Sequence, residues 1–336
     1  MTIRLFSELH LNVFHIHGIV FQILAFWQSI VNTSKYTRVN IEIRDLNKIY
    51  PNGNHALKEV SLEIGNGMFG LLGPNGAGKS SLMRILVTLM KPSKGQVLVN
   101  GLDLQKHRRE IRQMLGYLPQ DFRFFAKLTT WEFLDYSARL AGITQRKARL
   151  GAVEQMLEEV GLYEARNRMA NKLSGGMKRR LGIAQALIGE PKIIVVDEPT
   201  TGLDPEERIR FRNLLSSISE REVIIILSTH IVGDISSTCT DMALLNSGSL
   251  AYHGSPDKLI EKARGNVWQI SATETEYQEI QEKYPIISSI PAESGWEVQV
   301  VARDVNGYAG EQIEPNLEHA YVNFMEHELN QRWHEE

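Results

Sequence analysis

Cysteine is nearly absent from this chain: Cys239 is the only one among 336 residues. That excludes an intramolecular disulfide and a thiolate zinc cluster and suits a reducing compartment. A lone thiol of this kind is expected to be inert packing. An excess of charge of either sign is lacking too. Lys and Arg number 37 against 40 Asp and Glu, for a net charge of −3, so nothing global draws the chain to nucleic acid or anionic lipid. From Leu9 to Ser34 there is no charged side chain. Val13 to Val31 has the length of a membrane span, but His15, His17, Gln22, Gln28 and Ser29 interrupt it, which makes insertion marginal. Three readings stand for this stretch: a segment outside the working protein, an interfacial or spanning anchor, and a cap on the globular part. Between His10 and His17 no carboxylate or cysteine intervenes to complete a metal site. Residues 264–336 carry no catalytic motif.

What is present is ordinary globular material, 43% apolar and 23% charged, long enough for one large domain and a smaller appendage. Its most specific stretch is MFGLLGPNGAGKSSLMRILVTL, from Met68 to Leu89. A short apolar strand leads into a glycine-rich loop, and Leu82, Ile85, Leu86 and Leu89 then recur at helical spacing. Glycines let successive N–H groups point at one anion, the helix N-terminus adds partial positive charge, and a lysine reaches the outer phosphates. Lys79 is that lysine, and the Ser80 hydroxyl can hold Mg²⁺. The pattern identifies a nucleoside triphosphate and leaves kinases, GTPases, helicases and transport ATPases open.

Before the loop, Ile41 to Leu46 and Leu57 to Ile64 alternate like half-buried strands around an Asn52-Gly53 turn, which predicts an antiparallel sheet. Tyr50, between them, is either a half-buried core ring or a platform for a nucleobase. After it, Gln96–Val99 and Leu115–Leu118 read as strands, and Pro119-Gln120 ends the second. Trp131–Leu140 and Ala148–Val160 then show helical periodicity, punctuated by Gly142, Gly151 and Gly161, so residues 122–190 form a mainly helical insertion. Leu173-Ser174-Gly175-Gly176-Met177 opens a further helix with Ser174 as N-cap. The basic triplet Lys178, Arg179 and Arg180 is expected to lie on a solvated face.

Lys192-Ile-Ile-Val-Val-Asp197-Glu198-Pro199 reads as a central parallel strand, buried on both sides, that delivers two acids at its C-terminal edge. Beside a phosphate loop, Asp197 can hold Mg²⁺ and Glu198 can accept a proton from water. Val223–Leu227 is another buried strand, and His230 leaves it on the same ligand-gathering edge. Asp241–Leu245 and Ser249–Tyr252 close the domain. In the tail, Asn266–Ser271 and Trp296–Val301 read as strands, and Thr273–Tyr284 and Pro315–Leu329 as helices.

With these pieces in order, the sequence resembles the nucleotide-binding subunit of an ABC transporter. GPNGAGKS, Gln120, LSGGM, IIVVDEP, TGLD and His230 stand in that family's order, over residues 41–262. The resemblance implies an α/β fold with a P-loop NTPase core, an antiparallel β subdomain, a helical insertion at 122–190 and a small C-terminal α/β appendage at 263–336, after an apolar extension at 1–40. It implies ATP and Mg²⁺ as ligands. Tyr50 would stack on adenine, and Gly73, Pro74, Asn75, Gly76, Ala77, Gly78, Lys79, Ser80 and Ser81 would wrap the phosphates. Ser80, Gln120 and Asp197 would serve Mg²⁺. Catalysis would rest on Glu198 as general base, His230 as γ-phosphate sensor, Lys79 and Gln120. Ser174, Gly175 and Gly176 would meet ATP across a dimer interface, in the site of a second and identical cassette, with Asp204 crossing the same interface. Met177 where many members carry Gln, and Thr201-Gly202 in place of Ser-Ala, imply altered tuning with the ligand set intact.

The implied activity is ATP hydrolysis coupled to transport. The chain would be peripheral on the cytoplasmic face of the membrane, work with a separate permease, resemble exporter cassettes more than importers, and have no nucleic-acid partner. Docking on the permease would involve Phe122, Arg123, Phe124 and Phe125, which read equally well as a local apolar cluster. Two other readings make different demands on the sequence. A soluble ABC protein acting on ribosomes or DNA predicts two cassettes, a long coiled coil or zinc cysteines, and a non-hydrolysing adaptor predicts loss of Glu198 or His230. Neither set of features is found in this sequence.

Overall fold

Two runs of β-branched residues set the centre of the molecule. In the computed structural model, which describes residues 39–122, 125 and 127–329, β7 (Ile193–Asp197) and β8 (Ile224–Thr229) are buried along their whole length. Strands apolar on both faces must be covered on both, which is the condition of a parallel sheet. The sheet runs β10-β9-β3-β8-β7-β6, with β3 at Gly67–Leu72, β6 at Leu115–Leu118, and β9 (Asp241–Asn246) and β10 (Ser249–Gly254) forming an edge hairpin. Register pairs Leu72 with Thr229 and Asp197 with Ser228, so the C-terminal ends of β3, β7 and β8 reach one edge together.

The expected antiparallel sheet precedes it. β1 (Ile41–Ile49) pairs on one side with β2 (His55–Ile64) and on the other with β4 (Lys94–Val99), and the short β5 (Leu102–Asp103) completes the order β2-β1-β4-β5. Ile41 and Ile43 point inward in alternation, and a register shift after Ile43 brings Leu46 inward as well. Between the sheets, α1 (Lys79–Leu86) buries Leu82, Met83, Ile85 and Leu86. The predicted helix through Leu89 is therefore too long. Thr88 turns left-handed at φ 62°, the N–H groups of Leu89 and Met90 both donate to the Arg84 carbonyl, and Leu89 is exposed. Two backbone N–H groups turned back onto one carbonyl terminate the helix.

Beyond the short α2 (Arg108–Gln113), helices α3 (Thr130–Leu140), α4 (Arg146–Glu159) and α5 (Gly175–Leu187) form the helical part. α3 starts with a Thr129/Glu132 capping box. Phe133, Leu134, Val153, Leu157, Leu181 and Ile183 belong to the same apolar core as the parallel sheet. α6 (Pro205–Ser219) and α7 (Val232–Ser236) follow β7 and β8.

The tail has more strand than predicted. α8 (Pro256–Lys262) leads to a third sheet, β12-β13-β11-β14, built from β11 (Val267–Ala272), β12 (Ile286–Ala292), β13 (Gly295–Val301) and β14 (Gly310–Gln312). Helix α9 (Glu274–Lys283) lies against it, with Ile280 in a core that includes Ile270, Val298 and Val300. In β12, adjacent serines and Pro291 interrupt the alternation that would have revealed a strand. The predicted helix over Pro315–Leu329 is α10 (Leu317–Asn323) followed by a π-helical segment over Phe324–Leu329. Leu317, Ala320 and Phe324 pack into the main core. The readings of the N-terminal stretch, and of Arg123 and Phe124, fall on positions outside the described residues. Among the described residues no helix is long and apolar enough to cross a membrane.

Asp135 and Arg149 form a buried ion pair at 2.6 Å between α3 and α4, and Arg139 joins it at 2.8 Å. Burial pushes the Asp135 carboxyl up, but the hydrogen bonds from Arg149 and Arg139 outweigh it and hold the pKa below the ordinary carboxylate value. A carboxyl depressed by folding contributes stability above its unfolded pKa and loses it as pH falls through the folded one. Asp135→Asn is therefore expected to lower Tm at pH 7, with the gap to the parent closing below about pH 4. Thermal melts of both proteins across that range check it.

Candidate functional site

The glycine-rich loop leaves β3 and turns into α1 at Gly78. At φ 104°, with space for a Cβ only 2.4 Å from the Ala56 carbonyl, that position admits glycine alone. No side chain caps the first N–H groups of α1, so they remain available to an anion. Lys79 curls back under the loop. Its Nζ donates to the carbonyls of Gly73 (2.6 Å) and Pro74 (3.1 Å) and lies 3.9 Å from Glu198 Oε1. Burial lowers the pKa of this ammonium, and the carboxylates of Glu198 and Asp197 pull it back up.

Glu198 is the point on which the strands converge. Although 8% exposed, its carboxylate is approached from three directions at Oε2: Gln120 Nε2 donates at 3.3 Å and Thr201 Oγ1 at 3.4 Å, and His230 Nδ1 lies 3.3 Å away. Its backbone is left-handed at φ 44°, uncommon for a non-glycine residue and usual only where the surroundings impose it. The Glu198 N–H is held by the Ser228 carbonyl at 3.1 Å and Ser228 Oγ at 3.2 Å, and the Ser228 hydroxyl donates in turn to Asp197 Oδ1. Burial raises the Asp197 pKa, and the Ser228 hydrogen bond opposes it. Ser228 had no assigned part in the sequence reading; its cross-strand register with Asp197 is what reveals it.

Tyr50, Asn75, Gly76, Lys79, Ser80 and Glu198 line a cleft of about 520 Å³, together with Gln120. The Tyr50 hydroxyl shares a 2.9 Å hydrogen bond with Ser81 Oγ, and Lys48 Nζ stands 5.4 Å from the ring centre. A hydroxyl (Ser80), an amide (Gln120) and a carboxylate (Asp197) are hard oxygen donors. That donor set, with one carboxylate, fits Mg²⁺, which is bound through one or two carboxylates together with substrate phosphates and water.

The remaining predicted residues lie elsewhere. Ser174 caps α5, its Oγ accepting from Met177 N at 3.2 Å. Ser174 and Gly175 are exposed, and a Cβ at Gly175 would meet open space. Gly176 is packed so tightly on Glu207 that a Cβ would come within 2.3 Å of its carboxylate. These three do not line the Lys79 cleft of their own chain. Asp204 caps α6, its Oδ1 accepting from Glu207 N at 2.9 Å. Of the docking candidates, Phe122 packs edge-on against Phe133, and Phe125 is exposed and edge-on to Tyr136 at 5.5 Å.

The expectation of a solvated basic face is overturned for Arg179 and Arg180. Arg179 donates to the carbonyls of Pro119, Gln120, Glu198 and Pro199. Arg180 donates to the carbonyls of Val160 and Gly161 and pairs with Glu207. At about 100° per residue, three successive side chains fan over some 200° of a helix, too wide for one solvent face. Beneath the site, Asp234 is fully buried and its Oδ2 accepts from Thr200 Oγ1 and Thr229 Oγ1. It thereby ties the segment after Glu198 to the one before His230.

A family model described as ABC transporter matches residues 57–201. An uncharacterised ABC transporter ATP-binding protein of Bacillus subtilis, YxlF, is 34% identical over 251 residues, 74% of this chain and 82% of that one. The probable multidrug ABC transporter ATP-binding protein YbhF of Escherichia coli is 39% identical over 196 residues, 58% of this chain and 34% of that one. Among solved structures, the cassette MJ0796, a dimer in a post-hydrolysis state bound to ADP and Pi, is 26% identical with a TM-score of 0.59, covering 64% of this chain and 98% of that one.

The Asp234 contacts have a measurable consequence. Thr200→Val removes one of two hydroxyl donors from a buried carboxylate, and leaving such a group undersatisfied costs about 1–3 kcal/mol. Denaturant unfolding of Thr200→Val beside the parent is expected to show a loss in that range.

Proposed function

The chain belongs to the ABC transporter ATP-binding proteins and is an ATPase, and from that premise we propose a mechanism in which Glu198 is the general base and two copies of the chain share each ATP. Tyr50 stacks on the adenine. The N–H groups from Gly73 to Ser81 wrap the phosphates, and Lys79 leaves the Gly73 and Pro74 carbonyls to contact the β- and γ-phosphates. Ser80, Gln120 and Asp197 would hold Mg²⁺, which neutralises charge on the phosphate oxygens when bound. Water attacks the γ-phosphorus, its proton passes to Glu198, and the bond to the β-phosphate oxygen breaks.

The observation that carries this reading is the convergence of Gln120, Thr201 and His230 on one oxygen of a carboxylate that Lys79 approaches from the other side. His230 Nδ1 stands 3.3 Å from Glu198 Oε2, and in this reading the ring senses the γ-phosphate through an Nε2–H donor. One protomer's loop covers one side of that phosphate, and developing charge needs donors on the other. Ser174 and Gly175, exposed, and Gly176, packed on Glu207, all stand outside their own cleft and in this reading supply those donors to the partner's site, with Asp204 beside the same interface. The dimeric state of MJ0796 supports the pairing.

The same reading makes the chain peripheral on the cytoplasmic face of a membrane, driving a separate permease. The surface that suits the permease is the apolar stripe of exposed Phe125, Tyr136 and Leu140. It lies beside a groove of about 570 Å³ lined by Phe122, Tyr117 and Leu140. The multidrug name of the Escherichia coli relative favours export.

Glu198→Gln keeps the shape and removes the base. Turnover is expected to fall by two orders of magnitude or more, while ATP binding persists and an ATP-bound dimer accumulates on gel filtration. Parental turnover in this variant would remove Glu198 from its role.

A further inference from the structure

Arg179 occupies a place that the functions assigned above do not use. It sits on α5, five residues past Ser174, about 7 Å along the helix axis, and its guanidinium turns inward to four backbone carbonyls. Nε donates to Pro199 O at 2.8 Å. Nη1 donates to both Pro119 O (3.2 Å) and Gln120 O (2.8 Å), and Nη2 to Glu198 O at 3.0 Å. Four of its five N–H donors are therefore spent on two short segments, the exit of β6 that carries Gln120 and the exit of β7 that carries Glu198.

We propose that Arg179 is a positioning residue that sets Gln120 and Glu198 in their own site and links both to the Ser174 end of α5. Two observations support it independently. The Glu198 backbone is left-handed and is gripped at both ends of the residue, Ser228 holding its N–H and Arg179 its carbonyl. A strained residue persists only when its neighbours over-determine it. Moreover, among the described residues the hydrogen bonds of the guanidinium all go to carbonyls, while the carboxylates of Asp121, Asp197 and Glu198 act on its charge without a hydrogen bond. A partly buried cation kept for its planar fork is one that lysine does not replace. In the dimer proposed above, on which this inference rests, α5 touches the partner's nucleotide at its tip and steers its own general base from one turn deeper. Engagement of one site thereby reaches the geometry of the other.

The test uses the full chain with Mg²⁺ and ATP, and the variants Arg179→Lys and Arg179→Ala beside Glu198→Gln. Arg179→Lys is expected to lower kcat at least tenfold and change the Kd for ATP less than twofold. Added guanidinium ion at millimolar concentration restores part of kcat in Arg179→Ala and none in Glu198→Gln. Parental kcat in both Arg179 variants would overturn the proposal. So would a joint loss of kcat, ATP affinity and Tm without guanidinium rescue, because Arg179 would then be structural only. Full activity of Glu198→Gln would instead overturn the underlying reading.

Discussion

A carboxylate in a nearly dry position, at the end of a strand and in a backbone conformation it does not prefer, is the constraint that the surrounding structure answers. Left alone, Glu198 would rotate into water, since burying an unpaired charge is costly. It stays because each part of the residue has a partner. The carboxylate has Gln120, Thr201 and His230, the N–H has Ser228, and the carbonyl has Arg179. These partners come from three strand exits and one helix. Register between β7 and β8, set by apolar side chains far from the site, is what brings Ser228 beside Asp197 and Glu198.

Lys79 and the two acids form a local balance of charge. Burial disfavours the ammonium and the Asp197 carboxylate alike, and each is the other's compensation at a distance. The loop carbonyls that Lys79 occupies are polar groups with no charge. In the proposed mechanism, binding is an exchange of these hydrogen bonds for contacts to a triphosphate, driven by the attraction of its charge to Lys79, the loop N–H groups and the α1 N-terminus.

The outlying parts are not independent of this centre. α3, α4 and α5 share one apolar core with the parallel sheet, and the Asp135–Arg149 pair ties α3 to α4. α10 contributes Leu317 and Ala320 to the same core, while the third sheet keeps a smaller core of its own around Ile280 and Val300. Cys239 is buried in the main core with its thiol pushed up to about 12 by desolvation, inert as its isolation in the sequence implies.

Much of this was legible before any coordinates. The loop from Gly73 to Ser81, the apolar run ending in Asp197-Glu198 and the alternation in β1 and β2 each carry their physics locally, because phosphate cradles, buried parallel strands and half-buried strands require particular residues at particular spacing. Ser174 as an N-cap was legible for the same reason. Tertiary structure alone decided what depends on partners distant in sequence. Arg179 and Arg180 read as solvated charges until the carbonyls of residues up to 60 positions away came to meet them. Ser228 and Asp234 became site residues only when β7 and β8 lay side by side. β12 stayed hidden because its strand character comes from pairing with β13 and not from its own alternation. Short-range chemistry is written in the order of residues, whereas which carbonyl receives a buried guanidinium is settled by packing that brings distant segments within 3 Å.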